Sequence, residues 1–167
     1  MVCLSRDAQT GSILGATVAL TSRSTVVAKA IVEILIEHKG ELGLDEIYYG
    51  DHNNIPVAKA IAVTPGTKRR ELAGVAGPGG RGMNEMQIVL FLYYSVVEDE
   101  ATAREAVDTL AEDIEDILHE DTTLDGIIIH GFVNEWIPGV VHKATSMFRV
   151  VQMNYAARSK TNITITV

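Results

Sequence analysis

Hydrophobic residues recur every three or four positions in two parts of the chain, which predicts two amphipathic helices. The first helix runs from Ser24 to about Lys39, and Gly40 follows it as a stop signal. Its apolar positions are Val27, Ile31, Ile34 and Leu35. The second begins at Glu98 or Asp99, and its apolar positions are Ala103, Ala106, Val107, Leu110, Ile114 and Ile117 or Leu118. Carboxylates lie on the outer side of the second helix, so this side should face water.

Segments rich in β-branched and aromatic residues predict strands at residues 47–49, 57–63, 86–97, 127–133 and 146–157. Turn residues separate two pairs of them, at 50–54 and 134–139. This order of helices and strands predicts an α+β fold: a mixed, mainly antiparallel sheet with two main helices packed on one face. We expect one domain over residues 1–167.

Three segments are predicted to lie outside the helices and strands. One is an inner segment without a periodic apolar pattern, and the other two are the ends of the chain. Residues 64–82 contain Pro65, Pro78 and many glycines, which predicts a long, mobile, Gly-rich loop. Residues 1–21 and 159–167 are predicted to be terminal arms, and the second ends in TNITITV, whose alternation is typical of a strand that pairs with another copy.

The formal net charge of −8 argues against general binding to nucleic-acid phosphates. The single cysteine, Cys3, excludes a disulfide within the chain. No uncharged apolar run reaches the roughly 18 residues that a membrane helix needs, so we expect no membrane partner.

Acidic and basic residues are segregated along the chain. Twelve acids and one base, Arg104, lie between Glu98 and Asp125, whereas residues 136–167 contain four bases and no acid. This segregation suits a contact between copies, in which acids of one copy meet bases of the next. The candidate residues are Glu112, Asp113, Asp116, Arg149 and Arg158. The alternative is two solvated faces of different sign.

Catalytic chemistry finds no positive support in the residue pattern. The Gly-rich GVAGPGGRG lacks the Gly-Lys-Ser/Thr ending of a phosphate-binding loop, and no two of the five histidines have the close spacing of a zinc site. We therefore expect neither enzyme activity, nor a cofactor, nor a metal ion. The bases around the loop could instead contact a partner protein or passing DNA; they are Lys68, Arg69, Arg70 and Arg81.

Four segments together resemble the tail terminator proteins of long-tailed bacteriophages. They are STVVAKAIVEILIEH, NNIPVAKAIAVTPG, IVLFLYYSVVEDEATAREAVDTLAEDIEDIL and WIPGVVHKATSMFRVVQMNYAARSKT, within about residues 23–161. The resemblance implies a hexameric ring at the head-proximal end of the virion tail, assembled in the host cytoplasm. Such a ring stops polymerisation of the tail tube protein, binds a head-completion protein and lets double-stranded DNA pass through its lumen.

Two alternatives stay open at the level of sequence. The chain could be another ring or tube component of the phage neck or tail, which differs in whether assembly stops at one ring. It could also be a small intracellular α+β enzyme or ligand-binding domain that uses the histidines and the Gly-rich segment.

Overall fold

The computed structural model describes residues 22–51, 55–72, 81–97, 99–143 and 146–162. Within these residues, three helices and five strands follow one another in the order α1, α2, β1, β2, β3, α3, β4, β5. Their bounds are α1 Arg23–Glu37, α2 Lys39–Leu42, β1 Glu46–Tyr49, β2 Lys59–Leu72, β3 Arg81–Ser95, α3 Glu100–Glu120, β4 His130–Lys143 and β5 Ser146–Asn162. The predicted α+β class is confirmed, and both predicted helices are present.

The five strands form one sheet in the order β1-β2-β3-β5-β4. Only β1 and β2 run parallel, and the other three pairs are antiparallel. The sheet is therefore mixed and mainly antiparallel, as predicted. Its central pair, β3 with β5, keeps one register from Arg81 opposite Asn162 to Ser95 opposite Phe148.

Helices α1 and α3 cover one face of the sheet, which we call the helix-covered face. Alternate residues of β3 and β5 point into this layer, among them Leu90, Met153 and Tyr155, all with no exposed surface. Val27 and Ile114 meet them from the two helices. Burial of such side chains contributes roughly 1.5–3 kcal/mol each, so this layer is the main source of stability.

The opposite face of the sheet, which we call the open face, has no helix packed on it among the described elements. A smaller apolar cluster occupies the end of this face near the β4–β5 turn. Its buried members are Ile55, Ala60, Ala62, Tyr93, Phe148 and Val150. The rings of Tyr93 and Phe148 meet edge to face, with centroids 6.4 Å apart. Farther along the strands, polar and charged residues replace this cluster.

The predicted long loop at residues 64–82 is wrong over most of its length. Strand β2 continues to Leu72 and β3 begins at Arg81, and the two strands pair antiparallel throughout. Pro65 pairs with Ile88 and Lys68 pairs with Met86, so Gly66 and Thr67 lie opposite Gln87 as a bulge, and Pro65 does not start a loop. A side chain at Gly66 would lie 2.6 Å from the carbonyl oxygen of Gln87, which explains why glycine occupies this position. Residues 73–80 lie outside the described part of the chain.

Two other sequence predictions are corrected by the strands at the far edge. The predicted turn at 134–139 is part of β4, which absorbs the interruption as a bulge between Val133 and Glu135. Of the predicted arm at 159–167, residues up to Asn162 belong to β5, and Ser159 is buried. Pro138 is tolerated because β4 is an edge strand, where a missing N–H breaks no ladder. The arm at 1–21 and residues 163–167 lie outside the described residues.

A tight corner after α3 delivers the chain to β4. The carboxylate of Asp121 accepts hydrogen bonds from the backbone N–H of Asp125 at 2.6 Å and from the hydroxyl and N–H of Thr123 at 2.6 and 2.9 Å. Leu124 and Asp125 adopt left-handed backbone angles, with φ of 49° and 54°. Leu124 is nevertheless buried in the core. The hydrogen bonds to the Asp121 carboxylate thus offset the strain of a left-handed backbone conformation, which a leucine rarely adopts.

Replacing Asp121 with Asn should make this corner less stable at neutral pH and change its response to acid. The hydrogen bonds from Asp125 and Thr123 hold the pKa of the Asp121 carboxyl below its ordinary value. A lowered folded-state pKa contributes stability above the unfolded pKa of about 3.9, and this contribution is lost as the pH falls through the folded pKa. Urea unfolding of D121N and the parent from pH 7 down to pH 3 should show a difference that shrinks with acid. A pH-independent difference would contradict this account.

Gly131 and Tyr155 pack so closely that their positions depend on each other. A Cβ at Gly131 would overlap the hydroxyl of Tyr155 and lie 2.7 Å from Cδ1 of Ile128. The Tyr155 hydroxyl is buried, accepts or donates no hydrogen bond among the described residues, and has its pKa raised by that burial.

Gly131→Ala should therefore lower the free energy of unfolding by about 2 kcal/mol, as overpacking does. Tyr155→Phe removes an unsatisfied hydroxyl and should change stability by less than about 1 kcal/mol. In the double variant the cost of the alanine should fall, because one of its clashes is gone. Chemical denaturation of the four proteins measures this coupling, and strictly additive changes would contradict the contact.

Candidate assembly surfaces

The outer side of α3 is an acidic surface. The predicted contact residues Glu112, Asp113 and Asp116 all lie on it and are exposed. Asp99 caps the helix by accepting the N–H of Thr102 at 2.9 Å, and hydrogen bonds from the hydroxyl and N–H of Thr102 lower the pKa of the Asp99 carboxyl. The helix is therefore fixed at its start, with its carboxylates projecting away from the core.

Arg149, the first of the two predicted basic contacts, is paired within its own chain. Its guanidinium donates a hydrogen bond to Glu100 in the first turn of α3, and only 17% of its side chain is exposed. It lies on the helix-covered face, opposite Tyr94 of β3. This ion pair fastens the start of α3 to the sheet. The role of Arg149 between copies stays a prediction.

Arg158, the second predicted basic contact, lies on the open face. Its guanidinium is 2.7 Å from the carboxylate of Glu85 on the neighbouring strand. The registers place Arg69 on the other side of Glu85 and His130 on the other side of Arg158. These four residues form a charged row across β2, β3, β5 and β4. The row lies at the end of the open face away from the apolar cluster.

The four bases assigned to the loop lie instead on the two strands that replace most of it. Lys68 and Arg69 are exposed residues of β2. The backbone of Arg70 pairs with Asn84, and that of Arg81 pairs with Asn162. Because Lys68 and Arg69 are neighbours in a strand, they point to opposite faces of the sheet. The structure thus separates these two bases and brings Arg69 near Glu85.

Two open grooves of about 490 and 310 Å³ flank the charged row. They share Glu85, Met86 and Ala156, and the larger one also borders Thr67 and Gln87. Within the described residues, no three of the histidine, cysteine, aspartate and glutamate side chains are grouped to hold a metal ion. Both apolar and charged residues line the grooves, as in surfaces that contact proteins.

The acids of α3 and the base Arg158 lie on opposite sides of the molecule. The acids project from the helix layer, whereas Arg158 lies on the far face of the sheet. They cannot meet within one copy. A contact between them requires that the open face of one copy packs against the helix layer of another.

Strand β4 and the residue before it carry several of the large apolar side chains that remain exposed. Of seven large exposed hydrophobic residues among the described ones, four lie on β4 or directly before it. They are Ile129, Phe132, Ile137 and Val140, each between 40% and 43% exposed. No sequence pattern indicated these exposed side chains, because residues 134–139 are typical of a turn. Phe132 and Ile137 lie on the open face and Val140 on the helix-covered face, so together they border the outer edge of the sheet. Exposed apolar edges are places where another chain can associate.

The first half of β4 is closed off at its outer edge by the preceding corner. The N–H of Gly131 donates to the carbonyl oxygen of Thr122 at 2.8 Å, and that of Val133 donates to Nε2 of His119 at 3.0 Å. His119 must therefore carry its hydrogen on Nδ1, which is 3.8 Å from Glu115. Beyond the bulge, at residues 136–142, no such contact is seen in the described part of the chain. We call residues 136–142 the free edge of β4.

Comparisons with known proteins add no functional assignment. No protein-family model and no curated protein matches the sequence. One solved structure, of a protein whose name states no function, is similar to this chain with a TM-score of 0.44 and 12% identity. The match covers 82% of this chain and 96% of that protein's chain. None of the helices described here has the length and apolar character needed to cross a membrane.

Exchange of charges between Arg149 and Glu100 tests whether their ion pair acts within the chain. Arg149→Glu and Glu100→Arg should each destabilise the fold, by on the order of 1 kcal/mol, because each places like charges together. The double exchange should recover part of the loss. Urea denaturation of a dilute sample measures this, and Glu112→Arg on the outer side of α3 is the matched control. If Arg149→Glu changes only oligomerisation and leaves unfolding unaltered, the pair belongs between copies.

Proposed function

We propose that this protein is a structural ring subunit of a bacteriophage tail, the tail terminator. In this role, copies of the chain close into a hexameric ring on the head-proximal end of the tail tube. The ring stops tube polymerisation and presents a docking surface to the head-completion protein. The proposal combines the sequence resemblance with a surface suited to assembly.

The observation that carries the proposal is the number of exposed apolar side chains along β4. A protein that acts alone in water has little reason to place Phe132, Ile137 and Val140 along one edge strand, because exposed apolar edges invite association. The side chains become an advantage if a defined partner covers them. Copies of the same chain are such a partner in a ring.

The charge of the protein supports the passage of DNA. Each chain carries a formal net charge of −8, so the ring attracts phosphate weakly or repels it. DNA can therefore slide through the lumen without being held. The exposed acids of α3 and the row at Arg158 then remain available to distinguish the tube from the head-completion protein.

Native mass measurement and negative-stain electron microscopy of the purified protein test the proposal. We expect a closed ring of about six copies that forms at micromolar concentration or when tube is added. Open-ended tubes would instead assign the chain to the tube itself. A monomer at high concentration that does not bind added tube would overturn the proposed function.

A further inference from the structure

We propose that the ring is closed by strand pairing, in which the free edge of β4 in one copy pairs with β1 of the next copy. The inference rests on the proposed ring and adds the surface that closes it. Among the described strands, β1 and β4 are the outer two of the sheet, so their outer edges point away from each other. A head-to-tail ring needs two different patches on opposite sides of the subunit.

The two edges lie at the same level of the sheet. The paired positions run across it from Glu46 through Ala60, Tyr93 and Val150 to Gly139, and in the same way from Tyr49 to Trp136. The four residues of β1 therefore face the level of residues 136–139. This is the half of β4 that the α3 corner leaves uncovered. A closed ring permits no net rise between copies, and edges at one level are compatible with that requirement.

Strand direction also fits the contact. Strand β1 runs parallel to β2, and each step from β2 to β3, β5 and β4 reverses direction, so β4 runs opposite to β1. Rotation about a ring axis preserves the direction of every strand along that axis. The β4 strand of one copy would therefore meet the β1 strand of the next as an antiparallel pair. Antiparallel pairs form readily, as hairpins do.

The side chains at this level match in character and in face. Joined at one level, Tyr48 comes opposite Ile137 on the open face, and Tyr49 comes opposite Trp136 on the helix-covered face. Tyr49 is 42% exposed and Ile137 is 43% exposed in the single copy. Aromatic and β-branched residues opposite each other stabilise an antiparallel pair by roughly 0.2–1 kcal/mol. The pair would cover both exposed side chains.

Three features keep such pairing short and specific. Strand β1 offers only four residues, and Pro138 in the middle of the free edge has no N–H to donate. The first half of β4 is already occupied by His119 and Thr122. Short strands, proline and covered edges are the devices that prevent unlimited sheet growth. The four residues of β1 therefore limit the pairing to four positions of the free edge.

The strand contact is better supported than the predicted contact between the acids of α3 and the bases of β5. Arg149 and Arg158 already hold Glu100 and Glu85 of their own chain. A new partner would have to displace these acids. No such displacement is needed at the free edge of β4.

Disulfide cross-linking tests the contact in a Cys3→Ser background. Tyr48→Cys combined with Ile137→Cys should give, on oxidation, a ladder of covalent oligomers that ends at the ring. Tyr48→Cys with Phe132→Cys is the matched control, since Phe132 lies on the same strand and face in the covered half. Glu112→Cys with Arg158→Cys reports the contact through charged faces. Circular dichroism establishes that each variant is folded.

A second measurement uses Ile137→Lys, with Ile137→Thr as its control. A lysine on an edge strand resists pairing, so it should lower the fraction of rings at a given concentration by roughly tenfold, whereas threonine, a good strand former, should leave the rings largely intact. Rings that persist in the lysine variant, or that cross-link only through the charged-face pair, would overturn the strand contact and leave the proposed function standing. Absence of rings in the parent protein, with and without tube, would overturn both.

Discussion

The uninterrupted pairing of β3 with β5 is the constraint on which the rest of the molecule depends. These strands share one register over all fifteen residues of β3, whereas the β2–β3 and β4–β5 pairs each contain a bulge. Because side chains alternate strictly along a strand, this register decides which face every residue occupies. It places Leu90 and Met153 under the helices and Phe91 and Gln152 on the open face. A slip by one residue would exchange the two sets and expose the core.

The bulges on either side convert this rigid centre into adaptable edges. Between Pro65 and Lys68 one extra residue lets β2 continue past a Pro-Gly pair, and at Val133–Glu135 the bulge changes which groups of β4 face outward. Before that bulge, the outward N–H groups of Gly131 and Val133 are taken up by the α3 corner. After it, the strand leaves the corner behind. One irregularity thus divides the edge strand into a covered half and a free half.

The sequence predicted the helices and the central strands well, because those elements are periodic over many residues. The stripe of α3 correctly separated core positions such as Ile114 from exposed acids such as Glu112. It failed where Pro and Gly occur inside strands. Pro65, Gly66 and Pro138 are typical of turns when only neighbours in sequence are considered, but a bulge or an edge position accommodates each of them. That accommodation depends on partner strands that local sequence does not reveal.

The candidate surfaces could be predicted only in part, for the same reason. The exposed acids Glu112, Asp113 and Asp116 follow from helical spacing alone. The partners of the two arginines do not, since Glu100 is 49 positions from Arg149 and meets it only through tertiary packing. His119 reads as an isolated helix histidine, and nothing in its neighbourhood in the sequence indicates that its ring accepts a hydrogen bond from Val133. Long-range pairing decides which charges are already used.

That distinction changes how the molecule can assemble. A formal charge count treats the acidic helix and the basic strand as two free surfaces, but Arg149 and Arg158 each hold an acid of the same chain. Exposed ion pairs contribute little to begin with, and an arginine that must exchange one carboxylate for another gains still less. At the free edge of β4, the outward backbone groups and the exposed apolar side chains have no competing partner within the described chain. Association there would remove apolar surface from water without first breaking a contact within the chain. The contact that we propose between copies therefore uses the edges of the sheet and not its charged faces.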